Sequence, residues 1–187
     1  MDRSSADSGE FTRPRKTTLR TFRLSEDLAH ALEAEAEKQG TTLNALAASI
    51  LLKHVDWDAK AAQFGYIPTY KPIFTWLLQA VDEESLSRLG RTVVPAMWKE
   101  MAAFWFKDSS EERILDLLTA RGRYLRYAQT EVKKKDLLCT IVTHHDLGPR
   151  WSVVLESAFD ELVRNSFHAR PTIRAGGTVV TVEFSVP

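Results

Sequence analysis

The spacing of apolar positions changes several times along this chain, and each change predicts an element. Residues 17–24, Thr-Thr-Leu-Arg-Thr-Phe-Arg-Leu, alternate as a strand does, with Phe22 and Leu24 on one face and Thr21 and Arg23 on the other. Ser25 is a good helix cap, Glu26 and Asp27 suit the positive end of a helix dipole, and Leu28, Ala31 and Leu32 supply an apolar stripe. Gly40 is placed to end that helix, and Thr42 to cap the next. In the second helix Leu43, Leu46, Ala47, Ile50, Leu51, His54 and Val55 keep a helical spacing, which extends through Trp57 and Ala61 toward Phe64 and Gly65.

Beyond Pro68 the pattern predicts short, aromatic-rich helices over 71–80, 83–89 and 95–106, with breaks at Gly90 and Pro95, and another over 110–120 that closes near Gly122. Residues 123–132 and 137–144 alternate as two strands about the charged turn Lys133-Lys134-Lys135-Asp136. Residues 146–167 are amphipathic with helical spacing and begin at a capping aspartate, Asp146. A last hairpin, 171–175 with 178–186, turns at Gly176-Gly177. The C-terminal part is therefore expected to be ββαββ, an antiparallel sheet with one long helix against it.

The 25 basic and 25 acidic residues cancel, so net charge says nothing about partners. Their distribution does. Residues 11–24 carry Arg13, Arg15, Lys16, Arg20 and Arg23 and no acid, whereas residues 25–39 carry Glu26, Asp27, Glu33, Glu35 and Glu37 against Lys38 alone. Residues 1–12 offer almost nothing to bury and predict a disordered tail. Cys139 is the sole cysteine, which excludes an internal disulfide and a cysteine zinc site. No signal peptide and no apolar run of membrane-spanning length is visible, the longest being 45–52, and a cytoplasmic protein without membrane contact is expected.

A basic strand, a Ser-capped helix and a Gly-Thr-Thr-Leu-Asn turn into a second helix resemble the ribbon-helix-helix family of DNA-binding proteins, the Arc/MetJ type, over residues 17 to about 56. The fold class expected is then α+β: a dimeric ribbon-helix-helix domain over 13–58, and a helical segment with the ββαββ sheet over 59–187. One strand and two helices cannot enclose a core, so two chains would pair their strands and share Phe22, Leu24, Leu28, Leu32, Leu46, Ile50 and Leu51. The resemblance implies that outward strand residues Leu19, Thr21 and Arg23 contact bases in the major groove of double-stranded DNA. Relatives usually carry an apolar residue where Arg20 stands; twist there would send Arg20 to a phosphate. The opening N–H groups of Thr42, Leu43 and Asn44 form a phosphate site, with Arg15 and Lys16 adding salt-dependent affinity. The chain from Arg20 also resembles a group of uncharacterised archaeal proteins of this type, through Arg20 to Arg23, Leu43 to Leu46, Trp57-Asp58, Phe64-Gly65-Tyr66 and His145 to Ser152. That likeness implies a transcription regulator and names no effector.

In the C-terminal part, His144-His145-Asp146 does not predict a metal site, because neighbouring strand residues point to opposite faces. His145, Arg150 and Trp151 are the candidate contacts for a small anionic effector: a charge, a stacking surface and a helix start. No phosphate loop, GxSxG, HExxH or dinucleotide glycine pattern occurs. Neither a catalytic residue, a cofactor nor a metal is expected. Trp76, Trp98, Trp105 and Phe104 are expected in the core, or else on a partner surface. Two further readings remain open: an antitoxin-type autoregulator whose C-terminal half captures a partner protein, and a ligand-binding domain that uses the ribbon only to dimerise.

Overall fold

The computed structural model describes residues 18–125 and 127–186. The expected tail over 1–12 and the basic residues Arg13, Arg15 and Lys16 lie outside the described residues. The chain divides into two compact units, Met1–Ser49 and Ile50–Pro187.

In the first unit, residues 18–25 carry no regular element. A strand requires a hydrogen-bonded neighbour, and none is present among the described residues of this unit. Helix α1 (Glu26–Lys38) begins where the Ser25 hydroxyl accepts from the Leu28 N–H at 3.4 Å. It ends in a reciprocal pair of bonds, Gly40 N–H to Glu37 O and Thr41 N–H to Ala36 O. That closure needs a left-handed residue, and Gly40 supplies it at φ +64°. Helix α2 (Leu43–Lys53) is capped by the Thr42 hydroxyl, which accepts from Ala45 N–H at 3.2 Å. Among the described residues of this unit only Ala36 and Leu46 are buried.

The helical run does not stop at Lys53. It passes through one π turn (His54–Asp58), in which Ala59 N–H reaches His54 O, into α3 (Ala59–Gln63), and stops at Gly65, φ +91°. The boundary expected between 58 and 59 falls inside this run. Within the second unit Trp57 is buried, with ring centroids 5.5–6.1 Å from Trp105, Tyr66 and Tyr124. Asp56 ties the turn down, its carbonyl accepting from Trp105 Nε1 at 3.3 Å and its carboxylate from the Tyr124 hydroxyl at 3.1 Å.

Four helices follow: α4 (Lys71–Ala80), α5 (Glu83–Thr92), α6 (Val94–Phe106) and α7 (Glu111–Tyr124). The sheet contains β1 (Ala128–Lys135), β2 (Leu138–His145), β3 (Thr172–Gly176) and β4 (Val179–Ser185) in the order β1-β2-β4-β3, all antiparallel. Between β2 and β3 runs α8 (Pro149–Ser166). The ββαββ order expected from the alternation is therefore observed. The register sets Cys139 opposite Phe184, Ile141 opposite Val182 and Thr143 opposite Val180, and all six are buried. Val154, Ala158, Phe159, Leu162 and Val163 of α8 join them in one core with Trp98, Met101 and Leu118.

Several boundaries differ from the expectation for physical reasons. Arg123 and Tyr124 are helical rather than the start of a strand, and Lys133–Lys135 pair with β2 instead of forming the turn, which is Asp136-Leu137 with Asp136 at φ +54°. Helix α8 starts at Pro149 after Gly148 (φ +82°), so Asp146 does not cap it. Trp76 is exposed, because α4 turns Phe74 and Leu78 inward and presents the opposite side. Gly90 and Gly122 were expected to break helices, yet both sit within them. Glycine is needed at both because of close approach. A Cβ on Gly90 would stand 2.4 Å from Val154 O of α8, and one on Gly122 would stand 2.3 Å from Thr130 N of β1.

Gly90→Ala must push α5 off α8 and is expected to cost roughly 1–3 kcal/mol in urea unfolding. Gly176→Ala meets open space at an ordinary φ and should change stability by less than about 0.5 kcal/mol. Equal effects for the two substitutions would refute the close-packing account.

Candidate functional site

Leu19, Arg20, Thr21 and Arg23 are all exposed, ahead of α1. Arg20 uses its guanidinium on the Leu19 carbonyl at 3.1 Å. At the start of α2 the Thr42 carbonyl accepts from Leu46 N–H, while the Leu43 and Asn44 N–H groups have no acceptor among the described residues. These two donors lie at a positive helix end and are suited to an anion. Arg15 and Lys16 lie outside the described residues. The unit thus presents a basic, apolar-flanked segment and a helix start, both open.

In the second unit His145, Arg150 and Trp151 are brought near one another but face different tasks. His145 closes β2 and is buried, with its N–H on Thr178 O. Its Nε2 is 2.9 Å from the Ser152 hydroxyl, which is itself 2.9 Å from Gly177 O. A carbonyl only accepts, so the single hydroxyl proton goes to Gly177 and Nε2 must be the donor to Ser152. This polarity is the reverse of a serine activated by a histidine base. Asp146 does not orient the ring either, because its carboxylate is 2.6 Å from Lys71 Nζ. The other ring nitrogen, Nδ1, is buried and has no hydrogen-bond partner among the described residues. Burial holds the His145 pKa below its ordinary value, the neighbouring Asp146 opposing and His144 reinforcing the shift.

Arg150, in the first turn of α8, reaches across to the end of α4. Its Nε donates to Leu78 O at 2.7 Å, and its terminal nitrogen donates to Val81 O. These are carbonyls that a helix end leaves unpaired, so the guanidinium acts as a cap for α4. Trp151 is half-buried and meets Phe74 edge-on, with centroids 5.6 Å apart. The three residues hold elements together and do not converge on one open cavity.

An apolar cleft lies beside them. Tyr66, Ile67, Pro68, Thr69, Lys71, Phe74, Leu125, Tyr127 and Leu147 line a cleft of about 360 Å³. Its walls are largely apolar and aromatic, with two phenols, the Thr69 hydroxyl and one ammonium as the polar side-chain groups, a composition suited to a small amphipathic ligand. Burial raises the Tyr127 pKa, with the Arg121 charge pulling the other way. Sequence reasoning passed over this cleft because its residues come from the loop after α3, the first turn of α4, the connection from α7 to β1 and the loop before α8. The available signal was Tyr66-Ile67-Pro68-Thr69-Tyr70, apolar residues in a proline loop with no periodic role. Among the described residues no cluster of three or more His, Cys, Asp or Glu side chains is placed to hold a metal ion.

No protein-family model, no curated protein and no solved structure matches this chain.

The buried histidine has a pH signature. Its native pKa lies below the unfolded value near 6.5, so its contribution to stability is complete above that value and is lost as pH falls toward the native pKa. His145→Gln is expected to flatten the stability curve between about pH 7 and about pH 5. Urea unfolding at a series of pH values measures this, and identical slopes for wild type and variant would rule the histidine out.

Proposed function

We propose that the chain is a homodimeric, sequence-specific DNA-binding regulator, with residues 13–58 as the reader and residues 59–187 as a sensor or interaction domain. The observation that carries this reading is apolar surface without a home. Phe22, Leu24 and Leu28 are 68%, 49% and 46% exposed, and Ile50 and Leu51 are exposed as well. Well-capped helices with an unburied stripe cannot be the finished structure of so short a segment. A second copy resolves it: residues 18–24 of the two chains pair as an antiparallel ribbon, and the stripes of α1 and α2 close beneath it.

Pairing turns Thr21 and Arg23 outward, on a ribbon of the width a major groove accepts. Arg23 donates two hydrogen bonds to a guanine edge, and Thr21 touches a base or a thymine methyl. The unpaired N–H groups of Leu43 and Asn44 take a backbone phosphate, which fixes the register. Leu19 adds apolar contact, and Arg20, Arg15 and Lys16 add phosphate contacts that weaken with salt. The cleft about Tyr127 supports an effector site in the second unit.

Wild type and Arg23→Ala are to be bound to a pool of random duplexes at two salt concentrations and the enriched sites sequenced. Wild type should enrich a palindrome. Arg23→Ala should lose preference at one base pair in each half-site, by about 1–3 kcal/mol, yet keep weak salt-sensitive binding. If wild type enriches nothing, the DNA reading is lost and the segment is left with dimerisation alone.

A further inference from the structure

Helix α4 is built the wrong way round for a helix that only packs on a core. Leu78 is buried and Phe74 half-buried, but Ile73, Trp76 and Leu77 point to solvent at 56%, 65% and 47% exposure. Tyr70, three residues before Ile73, and Val81, four after Leu77, are exposed as well, at 74% and 38%. Side chains of this size present up to about 200 Å² each, so these fractions leave on the order of 550 Å² of apolar-rich surface. That is at the top of the ~300–600 Å² range of the largest patch on a typical monomer. It is most of the ~800 Å² that each partner contributes to a standard stable interface, before any polar rim is counted.

The face is also held still. Arg150 caps the last carbonyls of α4 from α8, and Lys71 pairs with Asp146 at the other end, across 75 positions of sequence. Phe74 rests against Trp151. A surface fixed at both ends loses little freedom on association, so its apolar area counts toward binding.

Its charge selects the occupant. Residues 66–81 contain one charged side chain, Lys71, already paired with Asp146, and no carboxylate. Such a surface offers nothing to phosphates and nothing to steer a strongly charged partner. It meets an identical surface with no like charges opposed. An antiparallel crossing about Trp76 also sets the N-terminal end of one α4 beside the C-terminal end of the other, so the helix dipoles oppose favourably.

We propose that the outward face of α4, centred on Ile73, Trp76 and Leu77, is a twofold contact with a second copy of this chain, separate from the pairing of the N-terminal segments. The inference does not rest on DNA binding.

Four full-length proteins test it by light scattering and sedimentation over a concentration series: wild type, a ribbon variant (Phe22→Glu with Leu28→Glu), a face variant (Ile73→Glu with Trp76→Glu) and the combination. All four sites are exposed, so the variants should fold, and circular dichroism checks this. The ribbon variant should still reach twice the chain mass, and the combination should run as a monomer. Trp76→Ala in the ribbon variant should weaken self-association by about tenfold or more. Leu77→Cys in the ribbon variant should give an interchain disulfide on mild oxidation, the native Cys139 being buried. A ribbon variant that stays monomeric and does not cross-link would overturn the proposal, and would leave the face to another protein. If the face variant alone is monomeric, the N-terminal pairing fails instead, and the contact on α4 stands.

Discussion

The first turn of α8 ties together elements that are far apart in the sequence. Arg150 takes the carbonyl end of α4, Trp151 packs on Phe74 of the same helix, and Ser152 links His145 of β2 to Gly177 in the last hairpin. Three successive residues thus join a peripheral helix, a central strand and a turn. The turn can do so only because α8 itself lies hard against α5, whose Gly90 lets the α8 backbone come closer than any side chain would allow. The two contacts are complementary. Gly90 sets where α8 lies, and the Arg-Trp-Ser turn sets what hangs from it.

Much of this was legible along the chain. The caps at Ser25 and Thr42 and the glycine stop at Gly40 depend on local backbone chemistry, and they form as expected. The ββαββ order follows from alternation, which depends on which face of a strand meets the core. The errors share one cause. Gly90 and Gly122 look like helix breaks, but their role is set by the close approach of another element, α8 at Gly90 and β1 at Gly122. Asp146 looks like a cap, yet Lys71 takes its carboxylate. Arg150 looks like an open charge, yet two carbonyls of α4 take it. Gly122 answers to a strand that begins just after its own helix, and the other three answer to partners 64 to 75 positions away, of which the local pattern carries no record. The cleft about Tyr127 is of the same kind, assembled from three connections and the first turn of α4.

The two units share a way of handling apolar residues. In each, one face is packed and capped while another is left open: Phe22, Leu24 and Leu28 in the first, Ile73, Trp76 and Leu77 in the second. Isolated exposed leucines are ordinary, but groups of large apolar side chains left open together are not. Buried polar chemistry, by contrast, is sparing and internal. The His145–Ser152–Gly177 chain consumes its own donors, so it adds rigidity to the sheet end without offering a reactive group.

The π turn at His54–Asp58 has a consequence for how such a chain can change over time. One wide turn absorbs a single extra residue within an otherwise α-helical rod, and Asp56 and Trp57 anchor that turn to Trp105 and Tyr124. The helical stretches on either side are therefore offset in phase by about one residue, and the offset is fixed by the hydrogen bonds that run through the turn. A lineage that gained or lost one residue here would change which side chains of the segment up to Lys53 share a face, while the core beyond the turn kept its own fit.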